Sequence, residues 1–217
     1  YAYQVINISE VDQDAIPPGL VDPDNPIIPS LPTFDPTYFG DFGERTESRI
    51  TPSWVRNTID NPYTPRDGTR YTTSFSLVGG PLGGTVNYYR PAAEVVLYQP
   101  TGRKTALGLR LDGGYISPFS DTKLLPYYLR YFLGGENQIR GYNIRSIGPI
   151  DSQGRALGGD KFGLFNAEYY FDVFGPVRAL LFFDAGQSYL ASQKITFRSA
   201  VISTGVEVRF IMPVLNV

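Results

Sequence analysis

The chain has 217 residues, 42% of them hydrophobic, enough to bury the core of one large β domain. It contains neither Cys nor His, which excludes disulfides, thiolate-ligated or His-ligated metal sites, and catalytic triads that use a histidine base. A net charge of -2 without basic clusters disfavours nucleic acid as a partner. We therefore expect a protein that is not an enzyme and needs no cofactor or metal.

The composition favours strands and turns over helices. Gly (23), Pro (18), Tyr (16) and Phe (14) are abundant, whereas Met and Trp occur once each. The longest apolar runs, such as 179–183 and 210–215, are far shorter than the roughly 20 residues that a membrane helix needs. If the chain crosses a bilayer, it does so with strands.

The first part of the chain combines weak strand signals with a long irregular segment. Residues 1–8 alternate apolar and polar side chains, as in a strand. Residues 10–47 are rich in Pro, Asp and Gly without a regular period, which is typical of a long outer loop and equally of a domain linker. Residues 49–58 are predicted to form a strand, followed by a rigid turn that ends at Gly68. The next strand pair contains Pro91, which indicates a bulge or a local irregularity.

Four later segments alternate apolar side chains with small or charged ones. Their apolar positions are Leu107, Leu109 and Leu111; Phe165, Ala167, Tyr169 and Phe171; Leu181, Phe183 and Ala185; and Ile202, Thr204, Val206, Val208 and Phe210. Soluble sandwiches share this alternation, so a soluble β-domain stays open. Two features favour an antiparallel transmembrane β-barrel. The predicted strands have about ten to fifteen residues, near the roughly 9–11 that cross a bilayer, and short turns alternate with long loops.

The connection 118–160 is too long for a simple hairpin loop and is rich in Tyr, Phe and Leu, so we expect it to fold back into the barrel lumen. Glu168 and Asp184 alternate onto the lumen face of neighbouring strands, where two like charges need a cation. Arg140 lies between glycines in this loop and its guanidinium can hold two carboxylates. Charge patterning alone, however, favours an ordinary surface Arg140 and two solvated acids.

Four motifs, in order, resemble those of BamA-type outer-membrane proteins. Residues 133–142 are similar to the sixth outer loop of that family, whose tip reads Arg-Gly-aromatic. Residues 183–186 resemble its Phe-x-Asp-x-Gly strand motif, shifted by one because Phe182 and Phe183 are both present. Glu168 matches a glutamate of the intervening strand, and the turn 56–68 is similar to another family segment. The resemblance makes Ile139, Arg140, Gly141 and Tyr142 the loop tip, and Glu168, Asp184 and Gly186 its partners in the lumen.

The resemblance also implies an incomplete barrel. The family barrel has sixteen strands, of which about eight are visible in residues 1–217, so we expect a partial barrel from its second half. The periplasmic repeat (POTRA) domains of the family and the remaining strands are not in this chain. Residues 212–214 are expected at a periplasmic turn.

The function implied by the resemblance is the central barrel of a machine in the outer membrane that folds and inserts β-barrel proteins. Its implied partners are outer-membrane lipids, unfolded β-barrel clients and accessory lipoproteins. Alternatives are a polypeptide secretion pore of the two-partner type, a general porin, and a soluble glycan-binding or glycan-hydrolysing β-protein that uses Glu168 and Asp184.

Overall fold

The structure, a computed structural model, describes residues 2–8, 43–122, 125–150 and 156–211. Within these ranges ten strands form one antiparallel sheet. The strands are β1 (Ala2–Ile8), β2 (Gly43–Ile50), β3 (Ser53–Asn57), β4 (Gly68–Val78), β5 (Tyr88–Pro100), β6 (Thr105–Tyr115), β7 (Ser117–Pro118), β8 (Lys161–Phe174), β9 (Val177–Tyr189) and β10 (Val201–Phe210). None of the helices in the described ranges is long and apolar enough to cross a membrane.

The strands are laid side by side in the order β1-β2-β4-β5-β6-β8-β9-β10. Strand β3 pairs with β4 beyond the end of β2, and β7 pairs with β5 beyond the end of β6. The sheet therefore has eight positions across its width, in agreement with the predicted eight strands. Along these eight positions each strand neighbours the one that follows it in the order, always antiparallel, as in an up-and-down barrel wall.

Two prolines interrupt the pairing without shifting its register. Ile50 pairs with Leu77 and Ser53 with Ser74, so β2 and β3 continue one register across Pro52, which has no N–H to donate. Pro91 likewise lies where the pairing of β5 passes from β6 to β7. The predicted irregularity at Pro91 is therefore a short loss of pairing and not a bulge.

The predicted boundary of the first long loop is wrong at its C-terminal side. Strand β2 begins at Gly43, so residues 43–47 of the predicted loop 10–47 belong to a strand and pair with β1. The start of this strand was missed because the strand lacks an apolar alternation. It is instead rich in charged residues, namely Glu44, Arg45, Glu47 and Arg49. The remainder of that loop, and the turn predicted at 212–214, lie outside the described residues.

The two faces of the sheet have opposite chemistry. One face carries the apolar side chains of the alternation, many of them exposed, including Phe75, Leu97, Leu111, Leu181, Phe183, Ile202, Val206, Val208 and Phe210. A row of exposed apolar side chains this broad is typical of a surface that faces lipid. The other face, called the inner face here, carries charged and polar side chains and is covered in part by the long loop that follows β7.

The connections at the two ends of the sheet also differ. At one end, called the short-turn end, the strands are joined by residues 58–67, 101–104 and 175–176. At the opposite end they are joined by longer segments, of which 119–160 is the longest with described residues. Its apolar side chains form two buried clusters against the sheet, one around Leu125, Leu129 and Tyr131 and one around Leu133, Ile139 and Ile147. Burial of these side chains holds the loop against the inner face.

Candidate functional site

The loop presents its tip on a closed turn between residues 134 and 142. Gly134, Gly135 and Gly141 all have positive φ angles, between 82° and 111°. The N–H of Gly135 donates to the carbonyl of Tyr142 (3.0 Å), and the N–H of Gln138 donates to the carbonyl of Gly135 (3.1 Å). A Cβ on Gly134 would lie 2.3 Å from the carbonyl oxygen of Asn143. The glycines therefore permit a compact turn that carries Arg140 at its point.

Ile139 fixes the depth to which the tip is inserted. Its side chain is completely buried and packs with Leu133, Ile147 and Leu164. Gly186 on β9 lies directly beneath it, because a Cβ there would come within 3.1 Å of Ile139 Cδ1 and 2.9 Å of the carbonyl oxygen of Gly163. The absence of a side chain at residue 186 thus provides the space into which the loop packs.

Arg140 binds both acids that the sequence singled out. Its Nε and Nη2 donate to the two carboxylate oxygens of Asp184 at 2.8 and 2.6 Å, a bidentate pair, and its backbone N–H donates to the same carboxylate at 3.1 Å. Its Nη1 donates to Glu168 Oε1 at 2.7 Å. The Asp184 side chain has no exposed area and the Arg140 side chain is 12% exposed. The strongest pair in the site is therefore also the one most protected from water.

Strand β10 contributes a third acid and a second arginine that the sequence analysis did not assign to the site. Nη1 of Arg140 also donates to Glu207 Oε2 at 2.8 Å. Nη2 of Arg209 donates to Glu168 Oε1 at 2.8 Å, and Nε of Arg209 donates to Glu207 Oε1 at 2.6 Å. Two guanidinium groups thus share two carboxylates, while Asp184 pairs with Arg140. The alternation of β10 already placed Glu207 and Arg209 on the polar face, which was the available signal.

An aromatic ring supports the guanidinium of Arg140 from below. The Cζ atom of Arg140 lies 3.8 Å from the centre of the Phe182 ring, which is within cation–π distance. Gly205 on β10 leaves room for that ring, since a Cβ there would be 2.7 Å from Phe182 Cζ. The alternation of the sequence places Phe182 on the same face as Asp184, but nothing in the sequence showed that its ring supports a guanidinium.

Two further side chains hold the backbone of the tip. Asn166 on β8 donates its Nδ2 to the carbonyl of Gln138 (2.6 Å) and to Asp184 Oδ1 (2.8 Å). Arg110 on β6 donates its Nη1 to the carbonyl of Asn137 (3.0 Å) and its Nε to Glu94 (2.7 Å) on β5. The tip is therefore attached to strands β6, β8, β9 and β10. Neither contact was anticipated, because backbone carbonyls leave no mark in a sequence.

Tyr142, the aromatic residue of the tip motif, has a different environment. Its side chain is 41% exposed, and the contact that fixes it in the turn is made by its backbone carbonyl. The residues brought together at the inner face are thus Ile139, Arg140, Glu168, Asp184 and Gly186, with Gly141 allowing the chain to turn away. Such a cluster of paired charges anchors a segment.

The turn that resembled the second family segment is organised by Asp60. Its Oδ1 accepts backbone N–H groups from Asn61 (2.8 Å), Arg66 (3.1 Å) and Asp67 (3.3 Å). These N–H groups, that of Arg66 above all, stabilise the charged carboxylate and lower the pKa of Asp60. The turn is consequently rigid despite its exposure.

A sheet with a lipid-type outer face and an inner face braced by an inserted loop defines a class of protein, the membrane β-barrel with a loop in its lumen. A family model described as the Omp85 superfamily domain matches residues 24–217. The chain belongs to this superfamily and is of its BamA type, an outer-membrane β-barrel protein.

Individual relatives agree with this assignment. The chain is 32% identical over 176 residues to the outer membrane protein assembly factor BamA of Nitratidesulfovibrio vulgaris, covering 79% of this chain and 22% of that protein. It is 29% identical over 120 residues to the sorting and assembly machinery component 50 homolog of Mus musculus, covering 55% of this chain and 25% of that protein. The chain thus spans only about a quarter or less of these relatives.

A solved structure shows the same fold. The crystal structure of BamA from Haemophilus ducreyi lacking POTRA domains 1–3 superposes with a TM-score of 0.70 at 20% sequence identity, covering 78% of this chain and 37% of that chain. The ten-stranded sheet is therefore part of a larger barrel wall.

Proposed function

We propose that this chain forms part of the barrel of a non-enzymatic assembly factor that folds β-barrel proteins and inserts them into the outer membrane. The relatives, an outer membrane protein assembly factor and a sorting and assembly machinery component, support this function by their names. Its partners would be unfolded β-barrel clients, outer-membrane lipids on the apolar face, and accessory lipoproteins.

The observation that carries the proposal is the attachment of Arg140 to three acids on three adjacent strands. Glu168, Asp184 and Glu207 belong to β8, β9 and β10, and one guanidinium holds all three between 2.6 and 2.8 Å. A loop fixed in this way stiffens one part of the wall. Clients would then be received by edge pairing at a part of the barrel that is free to open, which is the β-augmentation mode of recognition.

The test is replacement of the wild-type full-length protein by Arg140→Ala or Asp184→Asn in cells depleted of it. We expect the amount of folded, heat-resistant β-barrel protein in the outer membrane to fall several-fold, because the wall loses its brace. The matched control is Arg145→Ala in the same loop, whose guanidinium lies 5.3 Å from the Phe132 ring. The proposal is refuted if Arg140→Ala and Asp184→Asn both leave assembly unchanged while the protein itself is present at normal levels.

The alternative functions are separated by this experiment and by a conductance measurement. A secretion pore would lose export of its passenger polypeptide while the other outer-membrane barrels stay at normal levels. A passive porin is disfavoured because the loop and its charged partners occupy the inner face; reconstituted into planar bilayers, a porin would show large, steady conductance before any mutation.

A further inference from the structure

A second group of charges lies at the short-turn end of the sheet. Arg66, in the turn between β3 and β4, donates its Nη1 to Asp172 Oδ2 on β8 (3.0 Å) and its Nη2 to the carbonyl of Gly102 (2.7 Å). Arg178 on β9 donates its Nε to Asp172 Oδ1 (2.7 Å) and its Nη1 to the carbonyl of Pro65 (3.2 Å). Arg66 thus connects the 58–67 turn with the 101–104 turn, and through Asp172 both are tied to β8 and β9.

From this group a continuous series of contacts leads to the loop tip. The side chain of Arg178 is 3% exposed, and its Cζ lies 4.8 Å from the centre of the Tyr170 ring. Tyr170 donates its hydroxyl to Glu168 Oε2. The other oxygen of Glu168 accepts from Arg140 at 2.7 Å. Arg66 and Arg140 are therefore linked through Asp172, Arg178, Tyr170 and Glu168, and every step is a hydrogen bond, an ion pair or a cation–π contact.

The tyrosine in the middle of this series is held in one position. Tyr170 is 3% exposed and packs with Ala106 and Leu180 in a buried cluster. Its ring lies over Gly108, where a Cβ would be only 2.9 Å from Tyr170 Cε2. A side chain packed on all sides cannot absorb a displacement by changing rotamer. Movement of Arg178 is consequently passed to the hydroxyl that orients Glu168.

The distance to be bridged is short. Asp172 and Glu168 lie four residues apart on the same strand, which corresponds to about 13 Å at about 3.3 Å per residue. Since side chains alternate along a strand, Asp172, Tyr170 and Glu168 all project from the inner face. The series therefore runs along one row of the sheet.

We propose that Arg66, Asp172 and Arg178 are positioning residues for the loop tip, acting through Tyr170 on Glu168. Anything that displaces Arg66 from Asp172 at the short-turn end then weakens the docking of Arg140 on the wall. Such coupling is reciprocal, so release of the tip also loosens the turn at 58–67. The coupling concerns docking of the loop and does not depend on the assembly of clients.

The chain offers a direct probe of docking because it contains no cysteine. Ile139 belongs to the tip and is completely buried while the tip is docked, so a thiol introduced as Ile139→Cys reacts with a maleimide only when the tip opens. The rate of labelling is measured in the full-length protein, with any other cysteine replaced. The Ile139→Cys change is common to every variant and cancels in the comparison. We expect Arg66→Ala to label at least about 5-fold faster than its parent.

A double-mutant cycle tests whether the effect passes through Tyr170. Tyr170→Phe keeps the ring but removes the hydroxyl that donates to Glu168. In this background Arg66→Ala should change the labelling rate by less than about 2-fold. Tyr88→Phe is the matched control, because Tyr88 is also buried and donates its hydroxyl to a glutamate, Glu47, at 3.2 Å, outside the series. In that background the full effect of Arg66→Ala should persist.

Two results would overturn the proposal. One is an equal effect of Arg66→Ala with and without the Tyr170 hydroxyl, which would make the two ends independent. The other is no effect of Arg66→Ala on labelling in the parent protein. If Arg66→Ala lowers the folded fraction on heat-modifiability gels, Arg66→Lys takes its place in the cycle. A lysine keeps one ion pair with Asp172 but loses the hydrogen bond to the carbonyl of Gly102, so a labelling rate above that of the parent supports the proposal, and a rate equal to the parent contradicts it.

Discussion

Replacing Arg140 by alanine removes the side chain on which the docked loop depends most. Four side-chain hydrogen bonds are lost, two of them to Asp184. Among the described residues, Asp184 then keeps two donors, Asn166 and the backbone N–H of residue 140, and no counter-charge, in a fully buried position. Glu168 and Glu207 lose less, because both keep Arg209.

The free-energy cost of Arg140→Ala follows from this difference between the three acids. Removing one partner of a buried ion pair costs about 3–5 kcal/mol, and Asp184 meets that description. The cation–π contact with Phe182 adds about 0.5–2 kcal/mol, whereas the partly exposed Glu207 adds little. We therefore expect Arg140→Ala to weaken loop docking by about 3–5 kcal/mol. The loss destabilises both the loop and the part of the wall beneath it.

The assay combines heat-modifiable mobility on semi-native gels with protease cleavage inside residues 119–160. Arg140→Ala should unfold at a lower temperature and be cut faster within the loop. Arg145→Ala, which loses one contact over Phe132, should differ from wild type by about 0.5–1 kcal/mol. If Arg140→Ala behaves like Arg145→Ala in both measurements, the buried pair with Asp184 does not hold the loop and the reasoning fails.

Three other outcomes can be checked with the same protein. Gly186→Ala should speed loop proteolysis and cost about 1–3 kcal/mol, because the new methyl group meets both Ile139 and a strand carbonyl; an unchanged cleavage rate would contradict this. Asp184→Asn should lower the unfolding temperature more than Glu207→Gln, since Asp184 has no exposed side-chain area and Glu207 has 31%; the reverse order would be evidence against Asp184 as the principal anchor. The pKa of Asp60 lies below its ordinary value of 3.8, so its stabilisation of the 58–67 turn is present above that pH and lost as the pH falls through the lower folded-state pKa. Pepsin cleavage of the turn at decreasing pH should therefore rise more steeply in wild type than in Asp60→Asn, and parallel curves would argue against this role.

The sequence predicted the wall of this protein well because alternation of side chains is a direct consequence of strand geometry. The segments around Leu109, Phe165, Phe183 and Val206 alternate strictly, and each is a strand with its apolar side chains on the exposed face. The start of β2 at Gly43 was missed, since this strand is rich in charged residues and its partner β1 is far away in sequence.

The site was only partly predictable for a related reason. Arg140, Glu168 and Asp184 stand in distinctive motifs, whereas Glu207 and Arg209 occupy ordinary positions of an alternating strand. Their contribution depends on two strands being adjacent and in one register, with Ser203 opposite Asp184. Contacts to backbone carbonyls, such as that of Arg66 with Gly102, depend on tertiary structure in the same way and carry no residue signature.

The acceptors of Arg140 lie 28, 44 and 67 residues downstream of it in the chain. During synthesis the loop is therefore made before any of its three binding partners exists. Docking can be completed only after β10 has joined the sheet, because the third acceptor, Glu207, belongs to that strand.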